Sequence, residues 1–151
     1  MVKNIQDLCD RVRETGYQIH LFLDHGHLEK VYENALANRL RKQGLEIKQQ
    51  HPIQVRDEDG TIIGDYYADL LIEDQLLVEL KTANALADGH LAQILGYLKS
   101  TRIEHGLLIN FGSYKFQIKK LIKSEHPQKM ARRAIFALLL NLFVPFAFFC
   151  G

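Results

Sequence analysis

Apolar residues in the first two dozen positions recur at helical intervals. Ile5, Leu8, Cys9, Val12, Ile19 and Leu23 share one face of a helix predicted over residues 4–23, with Gly16 as its weak point. Asp24-His25-Gly26-His27 interrupts the pattern. Leu28, Val31, Tyr32, Ala35, Leu36 and Leu40 then give a second helix, which Gly44 stops in a C′-like position. From there the period becomes two. Residues 45–56 and 61–72 read as strands joined by the turn Asp57-Glu58-Asp59-Gly60, with Pro52 marking an edge or a bulge. Glu73-Asp74-Gln75 is a tight turn into a third strand, Leu76–Lys81. A helix over 87–100, a buried strand His105–Phe111 and a last strand or helix over 114–122 complete the order. The order α-α-β-β-β-α-β predicts an α/β fold with a mixed sheet: an antiparallel meander, then a strand reached through a helical crossover.

The end of the chain differs. A basic stretch precedes Ala134–Cys150, which is apolar except for Asn141 and Pro145 and is shorter than the roughly 20 residues that usually span a bilayer. The expected division is a domain over 1–123 and, over 124–151, a basic linker with an apolar helix or tail. Three readings of 134–150 compete: weak association with a membrane or partner, packing on the domain, and a frame-shifted end without an evolved role. Association is favoured, because an all-apolar helix suits neither a solvated surface nor a core that is already complete.

Composition narrows the classes further. A net charge of +1 gives no global field for nucleic acid or membrane. Cys9 and Cys150 form neither a disulfide framework nor a metal set, which suits a reducing, cytoplasmic setting. Early acidic residues and the lack of an apolar h-region argue against a signal peptide.

The candidate chemistry lies on the second and third strands. Asp69 is followed ten residues later by Glu79-Leu80-Lys81. Two carboxylates at a sheet edge can hold a Mg²⁺ (or Mn²⁺) ion through hard oxygen ligands. A lysine beside them can orient a water or stabilise phosphorane charge. Glu79 and Lys81 share a strand face. A two-residue turn would put Asp69 on the other face. A three-residue turn pairs Asp69 with Glu79 and Tyr67 with Lys81, and leaves Leu70, Ile72, Leu76, Val78 and Leu80 on the core face, so the apolar pattern favours it. The competing reading of these charges is a solvated strand face with a salt bridge. Gln93 and Tyr97 lie on one face of the following helix, with His90 nearby as a cap or border residue.

The pattern of Asp, then Glu-x-Lys, then Gln-x-x-x-Tyr resembles PD-(D/E)XK nucleases. Gly26, Glu29 and Tyr32 match the signature of the GxxExxY family within that superfamily. Residues 31–36, 67–73, 78–81, 92–98 and 106–111 also resemble that family, in order and spacing. The resemblance implies Asp69, Glu79 and Glu29 as metal-site carboxylates, Lys81 as the catalytic lysine, and Gln93 and Tyr97 as an accessory pair. It departs at Asp24-His25-Gly26, where the family has a Gly-Pro-Gly-like turn. It implies a Mg²⁺-dependent nuclease acting on DNA or RNA, with a second copy or a protein partner to help grip substrate. The alternative is a non-catalytic nucleic-acid- or protein-binding module that keeps the fold.

Overall fold

The computed structural model describes residues 4–123. The basic linker and the apolar segment 134–150 lie outside the described residues. Helices α1 (Ile5–Leu23) and α2 (Glu29–Lys42) come first, followed by strands β1 (Ile47–Arg56), β2 (Ile62–Ile72) and β3 (Leu76–Lys81). Helix α3 (Asp88–Ser100) and strands β4 (His105–Asn110) and β5 (Gln117–Ile122) complete the fold, so the last segment is a strand. The five strands lie side by side in chain order. The β1–β2 and β2–β3 pairs are antiparallel, β3–β4 is parallel across α3, and β4–β5 is antiparallel. The mixed sheet read from the sequence is therefore the sheet formed. Pro52 sits on β1, an edge strand, where its missing N–H leaves no ladder bond unmade. Among the described residues no helix is long and apolar enough to cross a membrane.

Two apolar clusters sandwich the sheet. Leu8, Val12, Ile19, Tyr32, Leu36 and Leu40 of α1 and α2 pack on Leu70, Ile72, Leu76, Val78 and Leu80. On the other face, Tyr97 and Leu98 of α3 pack with Ile53, Ala68, Leu71 and Leu77. Gly16 does not weaken α1, which is continuous. A Cβ there would lie 3.2 Å from the Phe116 ring, so the glycine lets that ring approach the helix.

Three local devices shape the region around Asp69 and Glu79. The first is the β2–β3 turn. Glu73 and Asp74 both adopt left-handed φ, 53° and 54°, and Gln75 N–H donates to the Ile72 carbonyl. Ile72 then pairs with Leu76, Leu71 with Leu77 and Leu70 with Val78, the register of a three-residue turn.

The second is a break in alternation. Ile47 and Ile53 have the same parity on β1 yet belong to opposite clusters, as do Leu70 and Ala68 on β2. Both strands change face at Gln50 and Asp69, and Gln50 carries a φ of 50°.

The third device fixes the end of β3. Phe111 N–H donates to the Lys81 carbonyl at 2.8 Å. The fully buried Asn110 donates to the Ala83 carbonyl and accepts from Ala83 N–H and Gly112 N–H. Gly112 is pressed against this loop, and a Cβ there would sit 2.2 Å from the Thr82 carbonyl carbon. Gly112→Ala should cost roughly 3 kcal/mol in a denaturant titration, as overpacking against backbone does. Gly89→Ala, whose Cβ meets nothing within 4 Å, should be neutral or slightly stabilising.

Candidate active site

Strands β2 and β3 stop pairing at Leu70–Val78. The expected Asp69–Glu79 and Tyr67–Lys81 pairs are both absent from the ladder, because the strands separate at Asp69. Asp69 stands at the fork. Its Oδ2 accepts the Leu80 N–H at 2.8 Å, taking the place of a backbone carbonyl, and its Oδ1 accepts from Gln50 Nε2 at 3.3 Å. Burial raises the Asp69 pKa, against the lowering effect of the Leu80 hydrogen bond and the Lys81 charge.

Glu79 is only 3% exposed. Its Oε1 accepts from Lys81 Nζ at 2.8 Å, while Oε2 is buried without a hydrogen-bond partner among the described residues. Burial, then the Asp69 charge, pushes its pKa to about 7 despite the lysine. For Lys81, burial works to lower the pKa. The Glu79 hydrogen bond and the charges of Glu79, Glu29 and Asp69 outweigh it and hold the ammonium above its usual value.

Glu29 opens α2, where its charge meets the positive end of the helix dipole. It approaches from the α1–α2 side, within the field of Lys81, Asp69 and Glu33. Burial, the largest influence, raises its pKa. Tyr32, one turn on, is fully buried and stacks on Phe111 at 4.6 Å with an 8° interplanar angle. Its hydroxyl donates to the Asp24 carbonyl at 2.6 Å and accepts from His27 N–H at 3.3 Å. Tyr32 therefore clamps the loop that carries Asp24, His25 and Gly26 to the start of α2. Asp24 and His25, of unassigned role in the sequence, pair with each other at 2.8 Å in that loop.

From the α3 side, Gln93 Nε2 donates to the Tyr97 hydroxyl at 2.7 Å. Tyr97 is 6% exposed and packs in the α3 cluster. Burial raises its pKa, the Gln93 hydrogen bond opposes this, and the charges of Glu79, Lys81 and Asp69 also reach it. His90 caps α3, its Nδ1 accepting from Ala87 N–H at 3.2 Å.

With this geometry in view, comparison with known proteins is decisive for the family. A family model described as the PD-(D/E)XK nuclease superfamily matches residues 6–121. The chain belongs to that superfamily. No curated protein matches it. The crystal structure of SSO0001 aligns with a TM-score of 0.51 at 16% identity, covering 76% of this chain and 59% of that one, so the chain spans less than two thirds of that relative's length. An alkaline exonuclease from Laribacter hongkongensis aligns with a TM-score of 0.42 at 14% identity, covering 94% of this chain and 82% of that one.

PD-(D/E)XK nucleases usually use divalent metals, and the donor set here fits such an ion incompletely. Asp69 and Glu79 offer carboxylate oxygens of the kind hard cations take, and the buried, unpartnered Glu79 Oε2 is one that a cation would satisfy. Among the described residues, no group of three or more His, Cys, Asp or Glu side chains is arranged to hold a metal ion. Glu29 thus shares the electrostatic field of Asp69 without forming a cage with it and Glu79.

Two residues of this PD-(D/E)XK site escaped the sequence reading. Gln50 bridges Asp69 Oδ1 and Glu33 Oε2, the latter at 2.9 Å. Glu33 is 2% exposed and also accepts from Lys30 at 2.7 Å and Gln49 at 2.9 Å. A carboxylate on the apolar face of α2 was the available signal, since a buried charge requires partners.

The Glu79 pKa sets a pH dependence. Below 4.5 both the folded and unfolded chains hold its proton. Between 4.5 and about 7 only the folded chain does, so stability falls as pH rises through that window, by about 3 kcal/mol for this group. The raised Asp69 and Glu29 values act with the same sign. In EDTA, wild type should melt lower at pH 8 than at pH 5, and Glu79→Gln should remove most of the difference by raising the pH 8 midpoint. A wild-type midpoint that is flat across this range would contradict the burial argument.

Proposed function

We propose that residues 1–123 form a divalent-metal-dependent phosphodiesterase of the GxxExxY type, acting on DNA or RNA, with 124–151 outside the catalytic unit. The observation that carries this reading is the pair of buried carboxylates, Asp69 and Glu79, with Lys81 Nζ 2.8 Å from Glu79, at the point where β2 and β3 separate. A structural ion pair does not explain a buried Glu79 oxygen without a partner.

Asp69 and Glu79 would hold Mg²⁺ or Mn²⁺, with Glu29 within the field of Asp69 and Lys81. The bound cation would supply charge neutralisation at the phosphate and a water acidified for attack. Asp69, fixed by the Leu80 N–H, keeps a constant orientation. Lys81 can move its ammonium from Glu79 to the phosphoryl oxygens, where negative charge builds as a water oxygen bonds to phosphorus and a sugar oxygen leaves with a proton. Gln93 and Tyr97, hydrogen-bonded to each other on α3, would donate hydrogen bonds to the strand.

Wild type should cleave oligonucleotides only with Mg²⁺ or Mn²⁺. Glu79→Gln and Lys81→Ala should each lose at least about 100-fold in rate while keeping the fold. Gln93→Ala and Tyr97→Phe should lose less. Mg²⁺ should raise the melting temperature of wild type and not of Glu79→Gln. Equal cleavage by wild type and both site variants would reveal a contaminant. Binding without cleavage at any metal concentration would mean a non-catalytic module.

A further inference from the structure

A second feature shares Gln93 and Tyr97 with the superfamily pattern but includes none of the carboxylates. A cleft of about 360 Å³ runs between α3 and the β1–β2 hairpin, within the size range of ligand pockets. Its walls include Val55, Tyr66, Gln93, Gly96 and Tyr97. We propose that this cleft is a stacking subsite for one unpaired base of a nucleic-acid strand, so that the substrate is single-stranded or has an unpaired end. This rests on the phosphodiesterase reading for its orientation, and it adds the class of substrate.

Three observations meet here. Tyr66 is 51% exposed although it stands on the α3 face of β2, and its ring lies 5.8 Å from that of Tyr97, tilted by 41°. An aromatic held at a cleft wall with half its surface in water offers a stacking face, and stacking on aromatics accepts any base.

The second observation is Gly96. It sits in the interior of α3 with its surface exposed, and a Cβ there would meet nothing within 4 Å. Glycine in a helix interior is less stable than alanine, and no neighbouring atom demands it. Bare backbone in the cleft wall leaves room that a side chain would take.

The third is composition and continuity. Among the described residues no lysine or arginine lines this cleft, so it suits a base rather than a phosphate. Tyr97 lines the cleft and also lies within the field of Glu79, Lys81 and Asp69, and Gln93 is hydrogen-bonded to it. Gln93 uses its Nε2 on Tyr97, and its carbonyl Oε1 is available to a base edge. A base in a duplex has both faces covered by its neighbours and cannot enter. An unpaired base can be splayed onto a side-chain ring.

The test is binding by the full chain in EDTA, where cleavage does not interfere. Three labelled probes are used: a single-stranded oligonucleotide, the same sequence as a duplex, and an abasic strand of equal length. Wild type should prefer the first over both others. Tyr66→Ala and Gly96→Leu should weaken its binding about 10-fold and change abasic-strand binding less than 2-fold. Gly96→Ala should show a smaller loss of binding with the melting temperature held or raised, which separates the effect from misfolding. Equal binding of the abasic and normal strands, no binding of any probe, or wild-type affinity in both Tyr66→Ala and Gly96→Leu would overturn the subsite. Base-dependent binding that is lost in these variants, by a protein that cleaves nothing with Mg²⁺, would retain the subsite and reject the phosphodiesterase.

Discussion

The site depends on one substitution of side chain for backbone. At Asp69 a carboxylate oxygen accepts the Leu80 N–H that an uninterrupted antiparallel ladder would give to a carbonyl. The N–H stays satisfied, so the strands can separate without leaving a buried donor unpaired. The separation gives the next residues of β3 a face that β2 no longer covers. Glu79 and Lys81 are on that face because the turn at Glu73-Asp74 sets the register and the apolar residues lock it. Asp69 therefore opens the sheet and supplies one of its carboxylates.

An opened sheet would be free to wander unless both sides were held. On the β2 side, Gln50 ties Asp69 to Glu33, and the backbone at Gln50 accepts a left-handed φ to do so. Such conformations persist only where surrounding contacts over-determine them. On the β3 side, Asn110 and the bare Cα of Gly112 hold the Thr82-Ala83 loop against the end of β4. The carboxylates are thus fixed in each other's field, at a cost: three of them have raised pKa values with burial as the leading cause. A rigid frame that keeps like charges close and partly dry stores the repulsion that a cation would relieve.

The sequence made the frame legible where periodicity and apolar constraint agree. The switch from period 3.6 to period two placed the elements to within a few residues, with the last one, over 114–122, left open between strand and helix. The core side of Leu70, Ile72, Leu76, Val78 and Leu80 selected the three-residue turn over the two-residue one. Pro52 marked the edge. What escaped was non-periodic. Strict alternation holds Ile47 and Ile53 to one face, and nothing in the one-dimensional pattern announces that Gln50 inverts it. The partners of Glu33, Gln49 and Gln50, come from a strand that follows the helix, and helical periodicity does not bring them together. Gly16 read as a weak point of the helix because the ring it accommodates, Phe116, lies a hundred residues away.

The signature around α2 shows how a motif can divide between chemistry and support. Of Gly26, Glu29 and Tyr32, only Glu29 reaches the field of Lys81. Gly26 carries a φ of 109°, which L side chains rarely adopt, and so turns the chain into α2. Tyr32 faces away from solvent, stacked on Phe111 with its hydroxyl closing the same loop. Phe111 follows directly on Asn110, the residue that pins the end of β3. The ring stack therefore couples the helix that carries Glu29 to the strand that anchors Lys81. Removing the Tyr32 ring would remove that coupling, although the ring itself is stacked on Phe111 and not on either charge.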